Sequence, residues 1–550
     1  MNKNTLTIGV YGIQDINDSP TPTISHDHSI AILKKGEVIY QAQLERLDRI
    51  KHSNNMPESI YKLLKDKKLL GRKIDFVFVD NVAGRSFINS TGNIRFEAPL
   101  IEEITNSYEK GKLFWFNIQK TANILNHELA HMGSCLPFFG LFKNNSLLIH
   151  FDGGASLSNF SAWHFIDNNL SKIEAHWKLK KLSSLFNANA LTFGIIGAKA
   201  IDLNSVPGKL MGFSSYGKYS KKIETWLENN NYFEDCWKSK KPIFESAKAE
   251  FNIELKQLNQ KDSFIQNIAA SIQEIFIRET LKYIERLKKE SKAEYLYYSG
   301  GSALNIVLNT RIIKSELFKD VFIPPCCNDS GLALGAAAFY DWKTKNEIKI
   351  HDPYLNNWDI EDYETSYTQE TIENTAKLLR EGKIIGLCNN AAEIGPRALG
   401  NRSILCLANS QKLARKVSME HKQREWYRPV APIMLEENTK YFTGLDKIHH
   451  LSKYMLLDFE ILQSKKKELE GAVHIDGSSR IQTIFHRKEN PFVFDLLSFL
   501  NTKGIRALIN TSFNTKGEPI VHTIEDAKKS AQNMKLDAVV LNGKIKILNV

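Results

Sequence analysis

The sequence predicts an α/β protein of two domains, and three observations carry that reading. At 550 residues the chain is too long for one core. Short β-branched or aromatic runs closed by Gly, Asp or Pro alternate with helix-like stretches through roughly the first 350 residues. Around "KIHDPYLNNWDIEDYETSYTQ" the chain turns polar and irregular, and the α/β pattern then resumes, so the domains are placed at 1–355 and 370–550.

The strands of the first domain are read from "TLTIGVYG", "HSIAILKKGEVIYQAQL", "DFVFVD", "SLLIHFDGG", "AEYLYYSGG" and "DVFIPP". Its clearest helix is "SFIQNIAASIQEIFIRETLKYIERLKK". A second helix is expected where Ile118, Ala122, Leu125, Leu129 and Met132 recur at a three-four spacing. Those residues would form its buried stripe, and Gly133 would stop it. The second domain is built from "KIIGLCN", "HRKENPFVFDLLSFL", "ALINTSFN" and "AVVLNGKIKIL". No simple repeat is visible.

The composition, 42% hydrophobic and 25% charged, is that of a soluble globular protein. No run approaches the ~18 apolar residues of a membrane span, and "MNKNTLTIGVYG" lacks the regions of a signal peptide; a cytoplasmic protein that does not enter membranes is expected. The cysteines at 135, 236, 326, 327, 388 and 406 contain no C-x-x-C, which argues against a zinc ribbon and for reduced thiols. The net charge of +11 permits nucleic-acid binding without requiring it. The runs "ERLKKESK" and "SKKKELEG" mix both signs and read as solvated faces, so a nucleic-acid partner is not expected. Homo-oligomerisation is left open.

His127-Glu128-Leu129-Ala130-His131 spells H-E-x-x-H. Four residues apart on a helix, His127 and His131 leave the same face and can share a metal ion. A metzincin would continue with Gly at position 134 and His at 137, whereas the chain has Ser134 and Pro137. The pair therefore reads as a metal site without proteolysis, its third ligand elsewhere.

Three Gly-bearing turns follow strands. "HFDGGAS" offers Asp152 and two glycines, "YSGGSALN" offers Gly300, Gly301 and Asn305, and "CCNDSGLALG" offers Asp329 before a small-residue helix. Bare backbone N–H groups at such turns can approach phosphate, and three in order resemble an actin/sugar-kinase nucleotide site. Asp329 is the best candidate for the third ligand, because two imidazoles and a carboxylate suit a divalent metal with open positions. Iron and zinc fit that donor set equally.

In the second domain Arg397, Arg402, Lys422, Arg424, Arg428 and Arg480 stand beside Gly, Pro, Asn and Ser, not on amphipathic faces. Guanidinium forks held by rigid loops suit phosphate or a carbamate-like anion.

Taken together, "EIGPRALGNRSIL", "KQREWYRPVAP", "HIDGSSRIQT", "NTSFNTKGEPIVHTIEDA", "YSGGSALN", His26-Asp27 and Lys51-His52 resemble the O-carbamoyltransferase family of nodulation-factor and antibiotic carbamoyltransferases, over nearly the whole chain. The resemblance implies an N-terminal Kae1-like domain of the actin/sugar-kinase superfold and a C-terminal YrdC-like α/β domain. It implies an ATP-dependent enzyme that makes carbamoyl-adenylate from carbamoyl phosphate and passes the carbamoyl group to a hydroxyl of a small-molecule or sugar acceptor, with Mg2+ accompanying ATP.

The resemblance also implies roles. His127, His131 and Asp329 would hold Fe2+ or Zn2+, leaving Glu128 incidental. Asp152, Gly300, Gly301 and Asn305 would contact nucleotide, with Lys51 near the adenylate phosphate. Lys422, Arg428 and Arg480 would neutralise anions, and Arg397, Arg402, Asn514 and Lys516 would complete that site. His26 and Asp27 would activate the acceptor hydroxyl, or else cap a turn. The chain departs from the family at His28, where Ser is usual, in the added loop "QDINDSPTPTIS", and at Lys516, where Arg is usual and a fork is lost. The same domain pair occurs in tRNA threonylcarbamoylation and in hydrogenase maturation. The zinc-finger cysteines of the latter are absent from this sequence, and the "GPRALGNRS" loop favours a small-molecule acceptor.

Overall fold

The computed structural model describes residues 5–13, 25–81, 84–99, 101–116, 118–179, 182, 194–197, 204–230, 241–253, 259–360 and 365–548. Most of the added loop, residues 14–24, and Cys236 lie outside them. The fold is mixed α/β, as expected, and rests on three main sheets.

The first sheet is formed by β1 (Leu6–Tyr11), β2 (Ser29–Lys34), β3 (Glu37–Gln43), β4 (Ile74–Val79), β5 (Ser86–Ile88), β6 (Ile94–Glu97), β7 (Glu109–Trp115) and β8 (Ile118–Leu125), in the order β3-β2-β1-β4-β8-β7-β6-β5. The second is formed by β9 (Ser146–Phe151), β10 (Phe160–Ile166), β11 (Asn169–His176), β12 (Tyr295–Ser299) and β13 (Asp320–Phe322), in the order β11-β10-β9-β12-β13. In each, two antiparallel hairpin strands flank the first strand, and two further strands join its other side in parallel. The same topology is thus built twice, and β5–β7 only extend the first copy at its edge.

A third sheet comprises β14 (Ile385–Cys388), β15 (Arg402–Leu407) and β16 (Ala431–Leu435). A small ribbon of β17 (Phe459–Glu460) and β18 (Ser478–Ser479) follows in the chain. The same sheet is completed by β19 (Gln482–Ile484), β20 (Leu508–Ser512), β21 (Ala538–Leu541) and β22 (Lys544–Ile547), in the order β19-β16-β20-β15-β14-β21-β22. All its strands come after residue 384, and all strands of the first two sheets come before residue 323. The two regions nevertheless share one core. Leu296, Leu308 and Ile323 belong to the same buried cluster as Ile404, Leu456 and Phe513. Asn309 donates to the Leu456 carbonyl at 3.0 Å, and Arg49 donates to the Pro519 and Ile520 carbonyls at 2.9 and 2.7 Å.

One sequence expectation is overturned. The helix expected across Ile118–Met132 is a strand through Leu125, and only His127–Gly133 is helical. Ile118, Ala122 and Ile124 also satisfy a period of two, and pairing with β7 decided the period. Asn126 starts the helix, its side chain accepting from Leu129 N–H at 2.8 Å. Gly133 does not stop it by conformation. A Cβ there would lie 2.2 Å from the Gly335 carbonyl oxygen, and one on Gly335 would lie 2.0 Å from that of Ala130. The small-residue helix Leu332–Lys345 therefore crosses His127–Gly133 backbone to backbone, and it packs on β1 through Gly9 in the same way. Among the described residues no helix is long and apolar enough to cross a membrane.

Candidate active site

The duplicated topology brings the carboxyl ends of two sets of parallel strands together, the place where α/β sheets accept ligands. Tyr11 ends β1, the histidine helix follows β8, Asp152 follows β9, Gly300 follows β12, and Asp329 lies in the loop after β13.

His127 Nε2 and His131 Nε2 are 3.1 Å apart, and Asp329 Oδ1 lies 3.6 and 3.5 Å from them. Donors around one four- or six-coordinate ion with bonds near 2.1 Å are separated by roughly 3.0–3.4 Å, so the three converge as ligands would. Both imidazoles are buried. Asp329 is held by the Tyr11 hydroxyl, which donates to Oδ2 at 2.9 Å. The nearby His127 charge and hydrogen bonds from both histidines overcome burial and keep the Asp329 carboxyl well below its ordinary range. Burial and the same carboxylate push the Tyr11 phenol up. Glu128 is turned away, accepting from Leu157 N–H at 3.2 Å and Ser158 Oγ at 2.9 Å, so it fastens the loop after Asp152.

Asp152 Oδ2 is 3.4 Å from His131 Nε2, and the carboxylate accepts from Gly153 and Gly301 N–H, each at 2.5 Å. Gly300 (φ 101°) presses on the Phe151 backbone, where a Cβ would lie 2.3 Å from the carbonyl oxygen, so only glycine fits. Asn305 caps helix Ile306–Lys314 and pairs its amide with Gln273 at 3.1 and 3.2 Å. Its side chain is thereby committed within the protein.

Asp27, in a left-handed conformation (φ 56°), accepts from His52 Nδ1 at 2.9 Å, His26 Nδ1 at 3.2 Å and Asn328 Nδ2 at 3.3 Å. Against the opposing effect of burial, the Asp27 carboxylate raises His26 to about 9. His28, at the family's Ser position, is buried, bonded to Ser25 Oγ at 2.7 Å, and packed edge-on against Tyr11.

The second cluster is cationic. Lys51, Arg397, Lys422, Arg424, Arg428 and Arg480 lie within one another's electrostatic reach. Desolvation first, and then this crowding, lowers Lys51, Arg397, Lys422, Arg424 and Arg480 below their ordinary values. Lys422 follows a π-helical turn (Lys416–His421) and donates to Ser512 O, Asn514 O at 2.5 Å and Asn514 Oδ1 at 2.9 Å. Glu425, the nearby acid, is already claimed by Lys209 at 3.0 Å, Arg428 at 3.5 Å and the exposed Lys516 at 3.6 Å. Arg402 is not part of this group. Its buried guanidinium donates to the carbonyls of Asn389, Asn390, Asn401 and His522 at 2.7–2.9 Å and serves as a backbone clasp.

The two clusters adjoin. Gly395 (φ 93°) sits against Pro325, so the "EIGPRALG" turn packs on the "PPCCND" loop. The Cys327 thiol, pushed up by burial to about 12, feels both Arg397 and Asp152. Lys51 and His52, consecutive in sequence, serve the cationic cluster and Asp27 respectively.

Sequence reasoning missed Tyr11, Asn328, Lys209 and His150. Tyr11 and His150 lie inside apolar strands, where they read as core, and Lys209 is a buried lysine on the short helix Val206–Ser214.

Residues 21–338 match the family model described as carbamoyltransferase N-terminus, and residues 376–546 the one described as carbamoyltransferase C-terminus. The nodulation protein NolNO of Sinorhizobium fredii is 25% identical over 94% of this chain and 78% of its own length. Nodulation protein U of Azorhizobium caulinodans is 26% identical over 90% of this chain and 92% of its own. Among solved structures, full-length HypF in its phosphate- and nucleotide-bound form is similar at 12% identity and a TM-score of 0.34, over 62% of this chain and 56% of that one. The first family model alone spans more than half of the sequence, and the chain belongs to the carbamoyltransferase family and is a carbamoyltransferase.

Proposed function

We propose that the enzyme is an ATP-dependent O-carbamoyltransferase that works in two places, with a small-molecule or sugar hydroxyl as the final acceptor. The observation that carries this reading is the contact of two unlike clusters: a desolvated group of cations lacking a matching number of acids, and a His-His-Asp set with a neighbouring carboxylate. Crowded, desolvated cations are costly unless a polyanion joins them, and ATP with carbamoyl phosphate is such a partner.

In the cationic cluster, water cleaves carbamoyl phosphate to carbamate and phosphate. A carbamate oxygen then attacks the α-phosphorus of ATP, and the bond to the β-phosphate oxygen breaks, giving carbamoyl-adenylate and pyrophosphate. Arg397, Arg424, Arg428 and Arg480 balance the charge that builds on the phosphates, with Lys51 and Lys209 at the same cluster. Lys422 is tethered to Asn514 and Ser512 and positions the loop they form. Mg2+ would accompany ATP.

Transfer follows at the other cluster. His127, His131 and Asp329 would hold a divalent ion, iron or zinc, which when bound supplies Lewis-acid polarisation of the carbamoyl carbonyl. Gly300 and Gly301, which carry no side chains, let a nucleotide approach the backbone beside the Asp152 carboxylate, and their own N–H groups hold the turn by donating to Cys327 O and Asp152 Oδ2. His26, kept protonated by Asp27, orients the acceptor hydroxyl, and the Asp27 carboxylate, steadied by His52, takes its proton as its oxygen bonds to the carbamoyl carbon and AMP departs.

The test is a partial reaction. Purified protein with ATP and carbamoyl phosphate, without acceptor, is followed for pyrophosphate beside Arg480→Ala. Carbamoyl-phosphate-dependent pyrophosphate that the variant loses supports the reading. No pyrophosphate, with or without a panel of hydroxyl acceptors, removes it.

A further inference from the structure

A carbamoyl group carries an NH2 whose hydrogens need acceptors, whereas lysine and arginine side chains only donate. The side-chain acceptors that face the cationic cluster are engaged within the protein. Glu425 holds Lys209, Arg428 and Lys516. Asn514 Oδ1 takes Lys422 at 2.9 Å and Ser512 Oγ at 2.7 Å, and Glu518 Oε2 takes Thr515 N–H at 3.5 Å and Ser530 Oγ at 3.3 Å. His474 Nε2 is an exception.

His474 opens the turn that leads through β18 to Arg480. Its N–H donates to the Ser478 carbonyl at 2.8 Å, and its own carbonyl accepts at 3.0 Å from Gly477, whose φ of 89° closes the turn. Ser215 Oγ spends its hydrogen on the Gly212 carbonyl at 2.9 Å, so its oxygen accepts from His474 Nδ1–H, also at 2.9 Å. That bond fixes the tautomer and leaves the lone pair on Nε2, which has no hydrogen-bond partner among the described residues. Burial lowers the His474 imidazole below its ordinary value; the exposed Asp476 opposes this and Arg480 adds to it, so at neutral pH the ring is uncharged and Nε2 only accepts.

The surroundings place this nitrogen at the edge of the cluster. Helix Val206–Ser214 carries Lys209 onto Glu425, and Ser215 at its end meets His474. The next residue, Tyr216, packs edge-on against Trp426, between Glu425 and Arg428, at 5.0 Å between ring centroids. Arg480, six residues after His474, faces Arg397, Arg424 and Arg428.

We propose that His474 Nε2 accepts a hydrogen bond from the carbamoyl NH2 and makes the cationic site select carbamoyl phosphate over acyl phosphates that lack this group. His474 is then a specificity-determining residue of the first half-reaction. The inference rests on the cationic cluster as the carbamoyl-phosphate site, and the experiment separates the two.

Acetyl phosphate, with methyl in place of NH2, is the probe. Pyrophosphate formation from ATP gives the KM for carbamoyl phosphate and the inhibition constant for acetyl phosphate, in wild type, His474→Asn, His474→Leu and His474→Gln. Asparagine can keep the bond to Ser215 but has no atom at the Nε2 position, leucine lacks both, and glutamine can bring its amide oxygen to that position. Wild type should prefer carbamoyl phosphate by about tenfold or more. His474→Asn and His474→Leu should raise its KM about tenfold while leaving acetyl phosphate binding within about twofold, and His474→Gln should keep part of the preference. The proposal is overturned if a folded Asn or Leu variant keeps the wild-type preference, or if both phosphates weaken equally, which a purely structural histidine would produce. Either variant decides the matter if the other fails to fold. Wild type that forms no pyrophosphate would remove the cluster reading and the proposal with it.

Discussion

Gly133 and Gly335 meet backbone to backbone, and a Cβ on either would fall within 2.2 Å of a carbonyl oxygen. This contact sets the distance between the helix that carries both histidines and the helix that follows Asp329. Adding one methyl group as Gly335→Ala must push the helices apart. The expected cost is about 1–3 kcal/mol, read as a lowered unfolding midpoint in urea, together with weaker zinc binding. A variant that kept full stability and zinc affinity would show that the crossing does not set the site.

Arg402 and Arg480 have similar neighbours in sequence and opposite surroundings in space. Removing the Arg402 fork takes the donor from the Asn389, Asn390 and His522 carbonyls, while that of Asn401 keeps the Asn389 N–H at 3.2 Å, so Arg402→Ala should lose about 3 kcal/mol or more. Arg480 is lowered by burial and by Arg397, Arg424 and Arg428, so Arg480→Ala relieves repulsion and should melt at or above the wild-type temperature. Thermal melts of the two variants side by side check the assignment.

Pyrophosphate should stabilise the wild-type protein by about 2.7 kcal/mol at a hundred times its dissociation constant, and this gain should shrink sharply in Arg480→Ala. A melting shift equal in both proteins would place the anion elsewhere.

The pH dependence of stability has an arm set by His522. Burial first, and then Arg402, hold its imidazole down to about 3, and its Nε2–H donates to the Trp358 carbonyl at 2.6 Å. In the unfolded chain it takes a proton near pH 6.5, which the folded chain refuses. Its contribution is therefore present above pH 6.5 and is lost as pH falls towards 3, at up to about 1.4 kcal/mol per pH unit. His28, also held to about 3 by burial, acts with the same sign. His522→Gln keeps a donor for Trp358 and should flatten part of this slope in urea titrations between pH 4 and 7.

The apolar runs of β1, β4, β9 and β12 were legible because a buried strand needs nothing beyond its own residues. The duplication was not, because the two copies share hydrogen-bond order and no sequence pattern. Ile118–Leu125 misled because residues four apart satisfy both a helical face and a strand face, and only the partner strand β7 distinguishes them. Arg402 misled for a related reason: Asn and Ser flank arginines that clasp backbone as readily as those that bind anions. His127, His131 and Asp329 were identifiable as metal-type ligands, but their convergence depends on Gly133 and Gly335, more than 190 residues apart.

The proposed mechanism divides labour between the cationic cluster and the histidine site. Its most direct test follows pyrophosphate release and carbamoyl transfer separately in Arg480→Ala and Asp329→Ala, with ATP, carbamoyl phosphate and a working acceptor. The prediction is that Arg480→Ala loses both, whereas Asp329→Ala still releases pyrophosphate and fails only to carbamoylate the acceptor. Equal loss of pyrophosphate release in the two variants would contradict it.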